Sequence, residues 1–568
     1  MEPTNLNLDS STLPMKDLLV KFHNGGYQLP AFQRPFVWKI RQTLNLLDSL
    51  IRGYPISVIY LWKPGQESTL KPKKMTFSEN KIPVVENFEA YVIDGQQRLT
   101  SLLAAFGFSE AFDPGNRRSL ECWLELEGDD VTDGRLTKLF QSPANKAFLE
   151  NEESQGSIRR VRLKDLLDKD HQKLRDERRE QLKTDKMTPE AMEDALKRID
   201  AAYRMLSTRI TCITITGAAD KEVLQIFKRL NRGGTGLKER DVKAADLGIG
   251  RSVDVLQDIQ SFVGKPLPTA LGFGFSFAFR ALVVFHKGTA QFNSLKSTWA
   301  DDVGDRGQDL KDSWKEAEHG LIAAMKFVDH LGWSRKPLLP SCNALIPLAY
   351  ALKKLDGEPN QAEVEILTQW LCLAALRSVF QGSVETTING YLRKIKEMKN
   401  KPLIGLLDGL NSNEKRPITR NEIEEPTTLW GPFSQVMFAW LVAQKAKDWL
   451  SGQPLDTVAR FALKSKHPEE TLSIQHIFPR KLLADQDFEA NFPSNFAIIA
   501  KSSNSSLKDL PPSEAIKRLD SHEKRERASV QLFSQDAGDN LQSDHYEEFR
   551  EWRAKRLAVA WNKWLGLK

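Results

Sequence analysis

The sequence predicts a mixed architecture: an α/β domain at the N-terminus, a helical middle and a small ββα unit near the C-terminus. A β-prone apolar run at Tyr91–Ile93 ends at Asp94-Gly95, and a helical pattern follows at once. From about residue 240 to 450 the apolar residues recur at helical spacing, interrupted by Gly, Pro and polar breaks. Two short β-like runs and a predicted helix then follow between residues 471 and 507.

The helix after Asp94-Gly95 is predicted to be amphipathic. Its apolar residues recur at i, i+3, i+4 and i+7, namely Leu99, Leu102, Leu103 and Phe106. Asp94 is expected to cap the helix N-terminus, and Gly95 permits a tight turn that a β-carbon would obstruct. The chain is predicted to be organised around this strand, turn and helix.

The first turn of this helix carries two amides and a guanidinium, those of Gln96, Gln97 and Arg98. Free backbone N–H groups, the positive end of the helix dipole and the guanidinium would converge there, which suits a phosphate. The alternative is an ordinary strand-turn-helix with a surface arginine. Taken alone, the stretch slightly favours that alternative.

An upstream segment, Tyr27–Trp38, adds a second group of polar side chains. Because Pro30 and Pro35 keep the residues before them extended, this segment is predicted to be a rigid, non-helical loop. Such a loop would hold the Gln33 amide and the Arg34 guanidinium at fixed positions. The alternative is a proline-rich surface turn with its aromatic side chains in the core.

A third segment, Phe227–Leu237, ends a helical face at Asn231 and continues with two glycines. For Asn231 alone, the alternative is a helix C-cap. The three segments, in this order, resemble the N-terminal domain of the GmrSD-type restriction proteins, a ParB/sulfiredoxin-like nucleotide-binding fold. We therefore expect such a domain at residues 1–245, with a charged helical insertion at about 127–207.

The resemblance also implies a nucleotide pocket. The residues at the matching positions are Gln28, Arg34, Asp94, Gly95, Gln96, Gln97, Arg98 and Asn231. The ligand would be an NTP, either GTP or ATP. Asp94 has an alternative role, because a carboxylate beside phosphates commonly orients a water or binds Mg²⁺.

The C-terminal candidate site is centred on His476, which follows a β-like run and precedes Ile477-Phe478-Pro479. Downstream, Asn495 opens an apolar strand and Asn504 heads the predicted helix. GmrSD-type proteins usually end in an HNH (His-Me finger) nuclease, and this order of residues resembles that finger. The resemblance implies an HNH-type nuclease domain at 451–568 with His476 as its general base. It also implies that Asn495 fixes the loop and that Asn504 helps to hold a divalent metal, Mg²⁺ or Mn²⁺.

One position departs from the family pattern. The residue before the histidine is often Asp, Glu or His in these nucleases, and here it is Gln475. A glutamine carbonyl oxygen can ligate Mg²⁺, but it lacks the charge of a carboxylate. The alternatives are a weak metal site that includes Gln475, a site completed by Asp485 or Asp487, and an inactive finger.

Composition sets wider limits. The chain of 568 residues carries a formal net charge of +6, which permits nucleic-acid binding without requiring it. Its four cysteines are scattered without zinc-ribbon spacing, and no apolar run is long enough to span a bilayer, so we expect a cytoplasmic protein.

The helical middle, 246–450, shows no group of residues that suggests a chemical function, and we assign it a coupling role. The terminal helix carries four basic residues expected near the DNA backbone: Arg550, Arg553, Lys555 and Arg556.

The function expected from the resemblance is a DNA endonuclease of anti-phage defence. NTP binding or hydrolysis in the N-terminal domain would regulate nicking or cleavage of phage DNA, including chemically modified DNA, by the C-terminal domain. One alternative is a nucleotide-gated DNA-binding regulator with an inactive finger. Another is an NTPase sensor subunit that acts with a partner effector. Further candidate partners are a second copy of the chain and DNA-modification or other defence proteins.

Overall fold

The computed structural model describes residues 6–567 except for 31, 34–35, 69, 71, 73–84, 86, 109–121, 127–139, 142–159, 185–186, 231–252, 295–305, 356, 465–470, 485–488 and 543. The described residues form two compact units, one within residues 1–257 and one within residues 258–568. The second unit contains both the helical middle and the C-terminal segment. The expected boundaries at 245 and 450 stay a prediction.

The first unit is built on a five-stranded mixed sheet. The strands described in this unit are β1 (Asn7–Pro14), β2 (Tyr27–Gln28), β3 (Ile59–Trp62), β4 (Ala90–Asp94), β5 (Trp123–Glu125), β6 (Phe140–Gln141), β7 (Arg160–Arg162) and β8 (Arg209–Thr216). The main sheet has the order β1-β8-β3-β4-β2, and β6-β5-β7 form a second, smaller sheet. β2 runs parallel to β4, with Gln28 opposite Tyr91, so both strands end at the same edge of the sheet.

Helices cover both faces of the main sheet. They are α1 (Met15–His23), α2 (Ile40–Ile51), α3 (Gln96–Ala105), α4 (Asp165–Asp168), α5 (His171–Thr184), α6 (Pro189–Ser207) and α7 (Asp220–Leu230). Side chains alternate along β4, so Val92 belongs to the core formed with α1, α2, α3 and α6, whereas Tyr91 and Ile93 pack with α7. Burial on both faces explains why β4 reads as a continuous apolar run.

The charged segment expected to be an insertion contributes to the main core. Its helix α6 buries Leu196 and Ile199 completely, in the same cluster as residues of α1 and α2. Its charged side chains pair across the helices, as in the ion pair between Arg175 Nε and Asp200 Oδ1 at 3.1 Å. Helices α5 and α6 are therefore a pair with solvated faces above a buried apolar stripe, and the segment also contains strands β6 and β7, which the expected helical insertion did not include.

The second unit is helical over its first two hundred residues, as the periodicity predicts. The helices are α8 (Val253–Gly264), which begins before this unit, α9 (Pro266–Ala270), α10 (Phe275–Lys287), α11 (Arg306–His330), α12 (Leu345–Leu352), α13 (Gln361–Leu376), α14 (Val384–Glu397), α15 (Pro402–Asp408), α16 (Ser412–Lys415), α17 (Arg420–Ile423), α18 (Pro432–Ala443) and α19 (Leu455–Lys464). Their buried faces are rich in Leu, Ala and aromatic residues, which accounts for the packed helical region.

The C-terminal segment contains two short antiparallel strands, β9 (Leu472–His476) and β10 (Phe496–Ala500). Helix α20 (Arg480–Ala484) lies between them in sequence, and α21 (Lys501–Leu507) follows β10 directly. The chain then continues through α22 (Pro512–Arg518), α23 (His522–Ser529) and α24 (Tyr546–Trp564). This segment has a hydrophobic core of its own, in which Phe478 and Phe549 are fully buried.

A buried carboxylate joins the helical region to this segment. Asp448, which follows α18, is fully buried. Its Oδ1 accepts a hydrogen bond from Ala500 N at 2.7 Å, and its Oδ2 accepts one from Ser503 Oγ at 2.6 Å. Ser451 donates two more through its backbone N and its hydroxyl. Because a buried charge is costly unless its oxygens are hydrogen-bonded, these four bonds make the position tolerable.

Candidate functional site

The predicted turn at the end of β4 is present, and its geometry requires glycine. Gly95 has a φ of +102°, and a Cβ added there would lie 2.4 Å from Ile59 Cδ1. The expectation that Asp94 caps helix α3 is wrong, because Gly95 itself occupies the N-cap position. Asp94 remains the last residue of β4, and its Oδ2 accepts a hydrogen bond from Arg98 Nη2 at 2.9 Å instead.

Arg98 is largely buried and is bonded to the loop that precedes β3. Its Nη1 donates to the carbonyl oxygen of Ile56 at 2.6 Å, and its Nη2 donates to that of Val58 at 2.9 Å. The side chain is 12% exposed, and burial lowers the pKa of the guanidinium, against the opposing effect of Asp94. A phosphate bound by Arg98 would compete with these hydrogen bonds. The predicted role of Arg98 in nucleotide binding stays a prediction.

Buried glutamine side chains tie the proline-rich loop to β4. Gln33 Nε2 donates to the carbonyl oxygens of Val92 at 2.9 Å and Ile93 at 2.7 Å, although the resemblance did not include Gln33 in the pocket. Gln28 is also buried, and its Nε2 donates to Gly25 O at 2.8 Å. The loop is therefore fixed against the end of β4, as its prolines predict.

Helix α3 is bonded to the same loop further along. Gln97 Oε1 accepts hydrogen bonds from Val37 N at 2.8 Å and Trp38 N at 3.3 Å. Gln96 is 6% exposed, so both amides of the first helical turn are buried. Gln97 therefore holds α3 against the proline-rich loop, and a contact of Gln96 or Gln97 with a nucleotide stays a prediction.

Two of the predicted pocket residues, Arg34 and Asn231, lie outside the described residues. The described chain just before each of them nevertheless comes together. The rings of Phe32 and Phe227 are 5.0 Å apart, so the last turns of α7 pack against the proline-rich loop. The structure thus brings Gln28, Asp94–Arg98 and the end of α7 to one region of the first unit.

His476 lies at the end of β9, opposite Phe496 of β10. Its Nε2 is 3.1 Å from Asn491 Oδ1, and that oxygen also accepts a hydrogen bond from Arg480 Nη2 at 2.8 Å. Burial lowers the pKa of His476, and the charge of Arg480 acts in the same direction, whereas the bond to Asn491 and the charge of Glu489 raise it. The net direction favours a neutral imidazole near pH 7.

Asn495 fixes the loop that follows His476, which is the role the resemblance implies. The residue is fully buried. Its Oδ1 accepts from Phe478 N at 2.8 Å, and its Nδ2 donates to Phe478 O at 3.1 Å and to Ala490 O at 3.0 Å. Because these bonds occupy both ends of the carboxamide, Asn495 positions the loop from inside the fold.

The two predicted metal ligands share one face of β9. Asn504 Nδ2 donates to Ser473 Oγ at 2.9 Å, which places α21 on the Ser473 side of the strand. Since side chains alternate along a strand, Gln475 projects to the same side. The Gln475 Nε2 atom donates to the carbonyl oxygen of its neighbour His476 at 2.8 Å.

These residues fit a Mg²⁺ or Mn²⁺ ion only in part. Gln475 and Asn504 each offer a neutral amide oxygen, whereas these hard cations are usually held through one or two carboxylates. Among the described residues no three His, Cys, Asp or Glu side chains gather into a metal-binding group. The alternative ligands Asp485 and Asp487 lie outside the described residues.

The expectation that Arg553 lies near DNA is wrong. Its side chain is fully buried, and burial lowers its pKa to about 9. It donates to Ser494 O at 2.6 Å and to Gln531 O at 2.8 Å, so it holds α24 against the segment before β10. The other three basic residues expected near DNA are exposed or partly exposed: Arg550, Lys555 and Arg556.

Sequence reasoning gave no role to Asn491, which contacts both His476 and Arg480. The only local signal was its place in the Asn491-Phe492-Pro493 run that leads to Asn495. A contact between side chains fifteen residues apart in sequence follows no periodicity from which it could be predicted.

The first unit is thus a mixed-sheet α/β domain with a glycine turn and a buried polar cluster where β2 and β4 end. Residues 15–247 match the family model described as the GmrSD restriction endonuclease, N-terminal domain. The first unit is therefore similar to the N-terminal domain of GmrSD restriction endonucleases, over a match that covers less than half of the chain. A search of curated proteins gave no match. No helix among the described residues has the length and apolar character needed to cross a membrane.

Proposed function

We propose that this protein is a DNA endonuclease of phage defence, with an HNH nuclease in its C-terminal segment and a regulatory NTP site in its ParB-like N-terminal unit. The observation that carries the proposal is the placement of His476. It lies at the end of an antiparallel strand pair that continues directly into a helix, with Asn495 bracing the loop behind it. This is the arrangement expected of a ββα nuclease finger.

His476 would act as the general base. Because burial lowers its pKa, the imidazole is neutral near pH 7 and can accept a proton from water. The water oxygen would then form a bond to the phosphorus of DNA while the bond from phosphorus to the leaving oxygen breaks. The proton would reside on His476 until solvent removes it.

A divalent ion, Mg²⁺ or Mn²⁺, remains part of this proposal, with Gln475 and Asn504 as its protein ligands. When bound, such an ion supplies positive charge beside the scissile phosphate. The neutral ligand pair favours weak binding by the protein alone. We therefore expect the metal to bind in the millimolar range without DNA, and more tightly when phosphate oxygens complete its coordination.

The N-terminal site would bind GTP or ATP through the turn at Asp94–Arg98. No side chain caps the N-terminus of α3, and its first-turn backbone N–H groups favour the phosphates of a nucleotide. Gln28, Arg34 and Asn231 would complete the pocket. The substrate would be phage DNA, including modified DNA, and the site of action the cytoplasm. A second copy of the chain and other defence proteins are the partners to test.

The neutral residue Gln475 favours one alternative, a nucleotide-gated DNA-binding or NTPase sensor protein whose finger does not cleave. In that case a partner effector would do the cutting. The two functions differ in one respect that can be measured directly, namely whether the purified chain breaks phosphodiester bonds through His476.

The test is a plasmid-nicking assay on the full chain with Mg²⁺ or Mn²⁺, with and without each NTP. His476→Ala should abolish nicking, and the matched control His522→Ala, a change of an exposed histidine in the same unit, should leave it unchanged. Arg98→Ala should remove the response to nucleotide. Equal nicking by His476→Ala and the unaltered chain would overturn the nuclease proposal. No nicking of plain or modified DNA by any variant would support the alternative.

A further inference from the structure

Arg480 is held beside His476 by a shared partner. It is the first residue of α20, and its side chain is exposed although the residues just before it are buried. Its Nη2 donates to Asn491 Oδ1 at 2.8 Å, and the same oxygen lies 3.1 Å from His476 Nε2. The guanidinium and the imidazole are therefore neighbours. In keeping with this, burial and, to a smaller extent, the charge of Arg480 lower the pKa of His476.

Most hydrogen-bond donors of this guanidinium remain open. An arginine side chain carries five N–H donors in a planar fork, and the bond to Asn491 uses one of them. Within the described part of the chain, Arg480 has no second hydrogen-bond partner and no ion-pair partner. Two parallel N–H groups of such a fork match two oxygens of a phosphate. An exposed guanidinium that is fixed through one of its nitrogens is therefore suited to bind a phosphodiester.

The loop that holds Arg480 is itself anchored. Asn491 O accepts a hydrogen bond from Thr427 N at 2.7 Å, and Thr427 belongs to the connection between α17 and α18. Asn491 N donates to Glu489 Oε1 at 2.8 Å. Glu489 is the acidic residue closest in sequence to Asn491, and it is exposed and forms no ion pair with Arg480. The positive charge of Arg480 is therefore available to an anion from outside the chain.

This charge is important because the predicted metal ligands of the same segment are neutral. Gln475 and Asn504 offer amide oxygens where carboxylates are usual, so positive charge at the scissile phosphate is not assured by a tightly held ion. Negative charge develops on the phosphoryl oxygens during transfer, and fixed donors aimed at these oxygens lower the barrier. Arg480 is a cation whose charge is permanent and whose position is set by the residue that also contacts His476.

We propose that Arg480 is a catalytic residue that contacts the scissile phosphate of DNA through its remaining N–H groups. The proposal rests on the nuclease function proposed above and adds a second catalytic side chain to it. While the water oxygen forms its bond to phosphorus and the bond to the leaving oxygen breaks, Arg480 donates hydrogen bonds to the non-bridging oxygens. Arg480 keeps its own protons throughout, and His476 takes the proton of the water.

The first test is the cleavage rate of three variants of the full chain. Removal of one such donor typically lowers kcat by about 100- to 1,000-fold, so Arg480→Gln should lower kcat by about 100-fold or more. Arg480→Lys, which keeps the charge but loses the planar fork, should recover part of this loss. The matched control Lys481→Gln removes the exposed cation next in the chain and should leave kcat unchanged. Thermal unfolding of each variant shows that it is folded.

The second test needs no cleavage. On the His476→Ala background, the affinity for a short DNA duplex is measured at several salt concentrations without divalent metal. Each phosphate contact adds about one to the slope of log affinity against log salt concentration. Arg480→Gln should therefore reduce the slope by about one, whereas Arg480→Lys and Lys481→Gln should preserve it. A purely structural role of Arg480 in its loop would not make the slope follow the charge at this position.

The outcomes separate this proposal from the one on which it rests. An unchanged kcat in Arg480→Gln, in a chain whose cleavage depends on His476, would overturn the proposal. Equal losses of kcat in Arg480→Gln and Lys481→Gln would also overturn it, because they would indicate a diffuse effect of surface charge. A slope that is the same in all variants would overturn the phosphate contact whether or not the chain cleaves. If no variant cleaves DNA while the slope follows the charge of residue 480, the nuclease function fails and the phosphate contact stands.

Discussion

Gly95→Ala should destabilise the N-terminal unit for two separable reasons. The backbone at Gly95 has a φ of +102°, where an L-residue carries a strain of about 1–2 kcal/mol. The new Cβ would also lie 2.4 Å from Ile59 Cδ1, and overpacking of this kind costs about 1–3 kcal/mol. The free energy of unfolding should therefore fall by about 2–5 kcal/mol.

Two matched variants separate these contributions. Gly53 also has a positive φ, +71°, but a Cβ there meets nothing within 4 Å, so Gly53→Ala should show the backbone strain alone. Ile59→Val removes the Cδ1 atom that the new methyl group would strike. In the double variant Gly95→Ala/Ile59→Val the clash is relieved, so the two changes should be less than additive by about 1–2 kcal/mol.

The measurement is urea unfolding of the full chain, with hydrogen exchange of peptides covering residues 90–105 to follow the β4–α3 region. The clash argument is refuted if Gly95→Ala is no more destabilised than Gly53→Ala. It also fails if the double variant shows simple additivity, since the steric contribution would then not come from Ile59.

Four further predictions use the same chain. Asn495→Ala leaves the amide and carbonyl of Phe478 without their buried partner, so the free energy of unfolding, followed by thermal unfolding, should fall by about 2–4 kcal/mol. The control Asn504→Ala changes a less buried asparagine and should lower it by less. Burial holds the pKa of His476 below its ordinary value of 6.5, so the acidic limb of the pH–rate profile for cleavage should have its midpoint below pH 6.5. A midpoint above pH 6.5 would contradict the assignment of His476 as the base. Because the pKa of His476 is lower in the folded chain than in the unfolded chain, the unfolded chain binds this proton at a higher pH. The stability of the C-terminal segment should therefore decline below about pH 6.5, and less steeply in His476→Ala. Arg98→Ala should speed hydrogen exchange at residues 56–58, because Arg98 holds the carbonyls of Ile56 and Val58. Arg52→Ala, which removes a more exposed arginine, should have little effect there.

The features readable from the sequence are those with a local cause. The apolar run of β4, the glycine turn and the helix after it follow from periodicity and backbone sterics, and the structure contains all three. The helix was expected to be amphipathic, but every residue of α3 except Arg98 is buried. The family match over residues 15–247 supports the resemblance drawn from three short segments. The order of two strands and a helix around His476 was also predicted correctly.

What the sequence did not show depends on contacts between distant residues. Arg98 was expected to face a phosphate, yet its partners Ile56 and Val58 lie about forty residues upstream, where no local pattern points to them. Arg553 sits among other charged residues in a terminal helix and was expected at the surface. Its burial depends on two carbonyl oxygens brought to it by separate segments, which only the folded chain reveals.

The link through Asp448 bears on how such proteins exchange parts during evolution. Asp448 supports Ala500 and Ser503, while Asn562 at the far end of the chain exchanges hydrogen bonds with Ile418. A fragment that began at residue 451 would lack both supports and would leave Ala500 N buried without its acceptor. Recombination that transplants the C-terminal segment onto another N-terminal domain would therefore have to carry the preceding helices from about Ile418 onward. The C-terminal segment and this stretch of helices should be inherited together.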